Sequence, residues 1–234
     1  MSVVDLASTS LRDLNAALHR LTADTNDTQW TIRNPRGQHA VAVGIDAPIA
    51  VEIEGHVGYY CAGMNQQANV VVRGNAGVGL AENMMSGEVR VTGDASQAAG
   101  ATAQGGTLVI GGNASARCGI SLKGADIIVQ GSVGHMSAFM AQAGNLVVLG
   151  DAGESLGDSI YEACLYVRGS VASLGADCVE KEMTDAHKAK LAGLLAKAGF
   201  NGSGLSGAVD PAVFRRYGSA RQLYNFKIDN VSAY

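Results

Sequence analysis

One spacing dominates this chain: a short β-rich run ending in glycine returns every 19 residues. The runs are "VEIEG" ending at Gly55, "VVVRG" at Gly74, "VRVTG" at Gly93, "LVIGG" at Gly112, "IIVQG" at Gly131, "LVVLG" at Gly150 and "LYVRG" at Gly169. Seven units in one register, with no insertion between them, describe an architecture before they describe a site. This also disposes of the reading that "VVVRGNAGVG" first invites, a strand entering a phosphate-binding turn. Such a turn needs a helix directly after it and an acidic ribose partner about twenty residues on, whereas here another repeat follows.

Within each unit the positions sort by column. Two residues before the glycine stand Ile53, Val72, Val91, Ile110, Val129, Val148 and Val167, and four before stand Val51, Val70, Val89, Leu108, Ile127, Leu146 and Leu165. Both columns are wholly apolar, while the residue just before the glycine is mostly polar, so each run alternates as a strand with one inner face. After the glycine come His56, Asn75, Asp94, Asn113, Ser132, Asp151 and Ser170, mainly turn formers able to bond nearby backbone. Seven residues past it only alanine or glycine occurs, which marks a tight corner. The expected fold has an all-β core, a single-stranded β-helix or β-solenoid of about seven 19-residue coils, each strand pairing with the coils above and below. The composition agrees: 31 glycines suit repeated corners, and three prolines exclude collagen-like and proline-rich disordered chains.

The flanks leave the period. Residues 9 to 22 place Leu11, Leu14, Leu18 and Leu21 on one helical face, with Ser10 and Asp13 spaced as a capping box. "TDAHKAKLAGLLAKAG" reads as a helix from a Thr184 cap to Gly199, and "DPAVFRRYG" as the start of another with Asp210 as cap and Pro211 first. The expected organisation is an N-terminal helical cap over 1–30, a β-helix over 31–182 and a C-terminal helical segment and tail over 183–234. A solenoid needs its end coils covered, and these flanks can supply the cover, although "NGSGLSG" at 201–207 reads as a linker.

Chemistry is sparse. A net charge of −4 without a basic cluster excludes an electrostatic footprint for nucleic acid. The start lacks a signal-peptide pattern and no apolar run approaches a bilayer span, so the expectation is a cytoplasmic protein with no membrane partner. Cys61, Cys118, Cys164 and Cys178 show no C-x-x-C spacing, and the first two lie three coils apart, roughly 14 Å at one strand spacing per coil, so they read as reduced, buried thiols. The five histidines show no ligand spacing. "GHVGYYCAGMN" gathers His56, Tyr59, Tyr60, Cys61 and Asn65, which reads as packing under the N-terminal cap in preference to a polar pocket. Glu82, Asp158 and Asp177 share a column, but only the last two are on adjacent coils. No catalytic, cofactor-binding or metal residue is assigned.

The outward column three before the glycine reads Glu52, Val71, Arg90, Val109, Ile128, Val147 and Tyr166. Its last four members form an apolar strip that a monomer rarely leaves bare, so either a partner subunit or the chain's own C-terminal segment after Gly199 is expected over it. Together with Arg215, Arg216 and Tyr217 of the tail, Val109, Ile128, Val147 and Tyr166 are the candidate interface. If the strip proves to be neither, the loops seven to eleven residues past each glycine come next.

The repeat "GNAG…MMSGEVRVTGDA…GGTLVIGGNA" resembles the β-helical C-terminal domain of the glutamate synthase large chain, the GXGXG domain, over roughly residues 30 to 180. The tail "FRRYGSARQLYNF", 214–226, looks like the ending of the corresponding subunit of N-methylglutamate synthase (methylamine–glutamate N-methyltransferase). The resemblance implies a right-handed coil and a non-catalytic subunit of a hetero-oligomer. In such an assembly a glutamine amidotransferase-like chain and a glutamate synthase-like chain with FMN and an iron–sulfur cluster carry the reaction, and this chain needs no cofactor. The same fold serves the β-helical chain of formylmethanofuran dehydrogenase and of the related formyltransferase/hydrolase complex, which is the alternative reading.

Overall fold

The computed structural model describes residues 1–200 and 208–221. It is a β-solenoid of about seven turns. Strands β1 (Ser2–Asp5), β2 (Gln29–Arg33), β3 (Ala50–Glu54), β4 (Asn69–Val72), β5 (Glu88–Val91), β6 (Thr107–Ile110), β7 (Lys123–Val129), β8 (Ala143–Val148) and β9 (Cys164–Val167) stack in parallel, each beside the next. From β3 to β9 the partners are 19 residues apart, as in Val51↔Val70 and Leu146↔Leu165, except Lys123↔Ala143 at the start of β7, which is 20 apart beyond a register shift. The step from β2 to β3 is 21, as in Trp30↔Val51, which is why this coil hides from a search at the fixed spacing.

The two apolar columns form the inner wall. Ile127, Val129, Leu146 and Val148 are fully buried, and one continuous core runs from Leu6 and Leu18 at one end to Leu165 and Tyr217 at the other. A second line of contact follows the next inward column, where Val57, Ala76, Ala95, Ala114, Val133, Ala152 and Val171 bridge coil to coil. The small-residue corner has a backbone reason. Ala62, Ala81 and Ala138 are left-handed, with φ of 51°, 55° and 57°, and fully buried, so a larger side chain there would meet both strain and a filled interior.

The repeat glycine and the turn former after it work as one device. The side chains of His56, Asn75, Asp94, Asn113, Ser132 and Asp151 each accept a hydrogen bond from the backbone N–H of the next turn former up the stack, at 2.7 to 2.9 Å. From Asn75 upward this places an oxygen where the glycine above would carry its Cβ. A Cβ on Gly131 would stand 2.3 Å from Asn113 Oδ1 and 2.7 Å from Gly112 O. Gly131→Ala is therefore expected to break a rung and overpack the turn, lowering stability by about 2 kcal/mol in urea denaturation. A stability within about 0.5 kcal/mol of wild type would show that the rung yields freely.

The ends are closed by the flanks. Helix α1 (Leu11–His19) starts on Ser10, whose hydroxyl accepts from the Asp13 N–H, and buries Leu14 and Leu18. Asn15 fastens it to the first coil, donating to Ala40 O and accepting from Ala42 N. The cap thus sits one coil below "GHVGYYCAGMN". The N-terminal segment also holds β1, a strand with no repeat signature.

At the other end, α2 (Asp185–Ala198) runs from the Thr184 cap to a left-handed Gly199. The helix expected from Asp210 is corrected: it lasts one 3-10 turn, Pro211–Val213, and gives way to strand β11 (Arg215–Ser219). β11 inserts antiparallel between β9 and β10 (Cys178–Lys181), pairing Arg216 with Tyr166 and with Lys181. It turns aside the last parallel edge, and the Arg-Arg-Tyr pattern suits it because Tyr217 faces the core while Arg215 stays in solvent.

Candidate functional site

The outer face of the long sheet divides into two halves. Over β2 to β5 it is charged and internally matched: Arg33 pairs with Glu54, Arg73 with Glu52 and Arg90 with Glu88. Over β6 to β9 it is the apolar strip, and the structure decides what covers it. Val109, Ile128, Val147 and Tyr166 pack in one cluster with Leu191, Leu194, Leu195 and Ala198 of α2, and with Phe200 and Phe214. Ile128, Val147 and Tyr166 have no exposed surface. The cover comes from the chain itself, but chiefly from α2, ahead of Gly199, with Phe200 and Phe214 completing it, so both a partner on the strip and a cover confined to the segment after Gly199 are corrected. Arg216 and Tyr217 are buried in β11 as well, and of the candidate interface residues Arg215 alone is substantially exposed.

Arg90 joins the two halves. Besides Glu88 it donates to the carbonyls of Lys197 and Ala198 at 2.7 and 3.0 Å, capping the C-terminus of α2, where cations are favoured. A cavity of about 320 Å3 lies beside this contact, lined by Val71, Arg73, Arg90, Val109, Gln130 and Phe200 among others. Its two cations are already held by Glu52 and Glu88, so the cavity offers no free charge for an anion. The sequence gives no warning of this link, because Arg90 and Lys197 are 107 positions apart.

The remaining candidates are dispersed. Cys61 and Cys118 are sealed in separate coils, and burial pushes both thiols up to about 12, far from the thiolate that nucleophilic or ligand chemistry requires. Cys178 is raised to about 11 for the same reason. Asp158 and Asp177 do not form an acid pair: Asp158 accepts from Ser159 Oγ, and Asp177 is held by Arg221, at 2.8 Å from its Nε. His56 is a rung of the turn ladder, Tyr59 stacks on His39 with centroids 4.4 Å apart, and Asn65 is buried, donating to Ala68 O and Ser86 O. Among the described residues no group of three His, Cys, Asp or Glu side chains could hold a metal ion. No helix among them is long and apolar enough to cross a membrane.

No protein-family model matches the chain. A curated protein does: Protein GlxC of Rhizobium meliloti (strain 1021) is 62% identical over 234 residues, covering 100% of both chains. The chain belongs to the GlxC family. Its β-solenoid is consistent with the β-helix of the glutamate synthase GXGXG domain.

Proposed function

We propose that this chain is the non-catalytic structural subunit of a glutamate synthase-like complex, and specifically of N-methylglutamate synthase. In that role it holds an amidotransferase-like chain and a synthase-like chain in place. The assembly joins methylamine to glutamate, forming N-methylglutamate and releasing ammonia, so the carbon skeleton is kept and one amine replaces another. FMN and the iron–sulfur cluster belong, in this reading, to the synthase-like partner. The observation that carries it is the GXGXG-type β-helix standing as the bulk of a chain whose relative it matches end to end.

The chemistry of the described residues supports a scaffold. An iron–sulfur cluster takes clustered thiolates, and here the cysteines sit in different coils with their pKa values raised where burial is deepest. Many of its polar groups are used within the fold, in the turn ladder, the sheet ion pairs and the helix cap. Expressed alone, the chain is expected to be colourless and inactive toward glutamine, glutamate and methylamine. N-methylglutamate formed by the pure single chain, followed by chromatography of the amino acids, would overturn the non-catalytic role.

A further inference from the structure

The turn-rich face of the solenoid, four to nine residues past each glycine, carries large apolar side chains that the repeat does not require. Tyr60 and Met136, five past, and Met64 and Met140, nine past, are all left-handed, with φ of 61°, 54°, 54° and 53° respectively. In the same two columns most other coils place residues such as Gly79, Ala98, Asn83 or Ser121, small or tolerant of this backbone, with Arg117 and Thr102 as the left-handed exceptions. Bulky residues in left-handed positions carry strain that something else must offset. Tyr60 and Met136 are half-buried, but burial does not offset the strain at Met64, 45% exposed, or Met140, 40% exposed, and the neighbouring Tyr59 is 56% exposed.

Charge adds an independent observation. Backbone hydrogen bonds set Met64 beside Glu82, Met136 beside Glu154 and Met140 beside Asp158, at 2.8 to 2.9 Å. None of these three carboxylates is in an ion pair among the described residues, although the sheet face matches its own charges. Arg117 is the one basic residue in the two columns. We propose that this face is the docking surface for a different protein subunit, one presenting an apolar centre ringed by lysine or arginine. A second copy of this chain would set Glu82, Glu154 and Asp158 against their own like charges, so self-pairing is disfavoured. The unbranched thioethers suit the role, because they repack against whatever shape arrives.

This rests on the proposed function only in requiring companion chains, and one experiment separates the two. The native complex, isolated through an affinity tag on this chain, and the purified chain alone are treated with dilute hydrogen peroxide, and sulfoxide is quantified at each methionine by peptide mass spectrometry. In the chain alone Met64 and Met140 are expected to oxidise readily, and the fully buried Met84 to resist. In the complex Met64 and Met140 should slow at least about tenfold. Equal oxidation in both samples overturns the docking surface, even if the companions are the expected ones. Protection in a complex with other companions keeps the surface and sinks the function proposed above. Protection that grows with concentration in the chain alone shows self-association and overturns the choice of a different partner. As a second check, Met64→Glu with Met140→Glu is expected to leave the melting curve unchanged and to recover less than about a tenth of the companion chains. Full recovery would contradict the proposal.

Discussion

Val129→Asp is expected to unfold the solenoid or to weaken it by about 4 kcal/mol or more. Val129 has no exposed surface and is flanked by Ile110 and Val148 on the adjoining strands, in a column that is apolar from the first coil to the last. A carboxylate there would be buried with nothing to pair it, and because the coils stack, the defect sits in the middle of a single continuous core. The control is the next residue. Gln130 is exposed, and Gln130→Asp should change stability by about 1 kcal/mol at most. Urea denaturation followed by circular dichroism compares the two. Equal losses would mean that the inner and outer faces are wrongly assigned.

The second large effect lies on the opposite face of the same strand. Ile128→Lys is expected to cost the isolated chain about 3 kcal/mol or more, because α2 covers Ile128 completely and the ammonium would be forced beneath Leu191, Leu194 and Leu195. A strip left open for a partner would behave otherwise: the lysine would reach water and the free chain would melt as wild type. Unchanged stability would therefore show that α2 leaves the ridge in solution. The loss is the expected result, since α2 is anchored at its C-terminus by Arg90 and followed by Phe200 in the same cluster.

The solenoid is legible in sequence because its rules are local and repeated. Period-two alternation defines the inner columns, and the alanine or glycine restriction marks the left-handed corner at Ala62, Ala81 and Ala138. The caps Ser10 and Thr184 are legible for the same reason, since a cap and its helix are adjacent in sequence. What escapes depends on contacts between distant segments. β11 looks like a helix start because Asp210 and Pro211 are good first-turn residues, but the free edge of β9 supplies hydrogen bonds that propensity cannot see. The turn ladder escapes for a subtler reason. Asparagine, aspartate and serine after a glycine suggest bonds within their own turn, whereas each bonds the turn 19 residues on, and that same oxygen excludes a Cβ from the glycine above.

The candidate site is less legible than the fold. The strip at Val109, Ile128, Val147 and Tyr166 stands out as an anomaly in an outward column, but its cover is undecided in sequence, because "TDAHKAKLAGLLAKAG" shows a helix without showing where it lies. The linker expected at 201–207 and the part of the tail after residue 221 fall outside the described residues. The turn-face methionines give no signal in sequence, since their oddity is the pairing of a large side chain with positive φ and exposure.

Whether this chain scaffolds a glutamate synthase-like assembly turns on what travels with it. The native complex is purified through this chain, its visible spectrum recorded and its companions identified by mass spectrometry. An amidotransferase-like chain and a synthase-like chain are expected, with flavin and iron–sulfur absorption that stays with the complex. A metal-dependent hydrolase-like companion without flavin absorption would contradict the scaffold role proposed above and group the chain with the formyltransferase/hydrolase type instead.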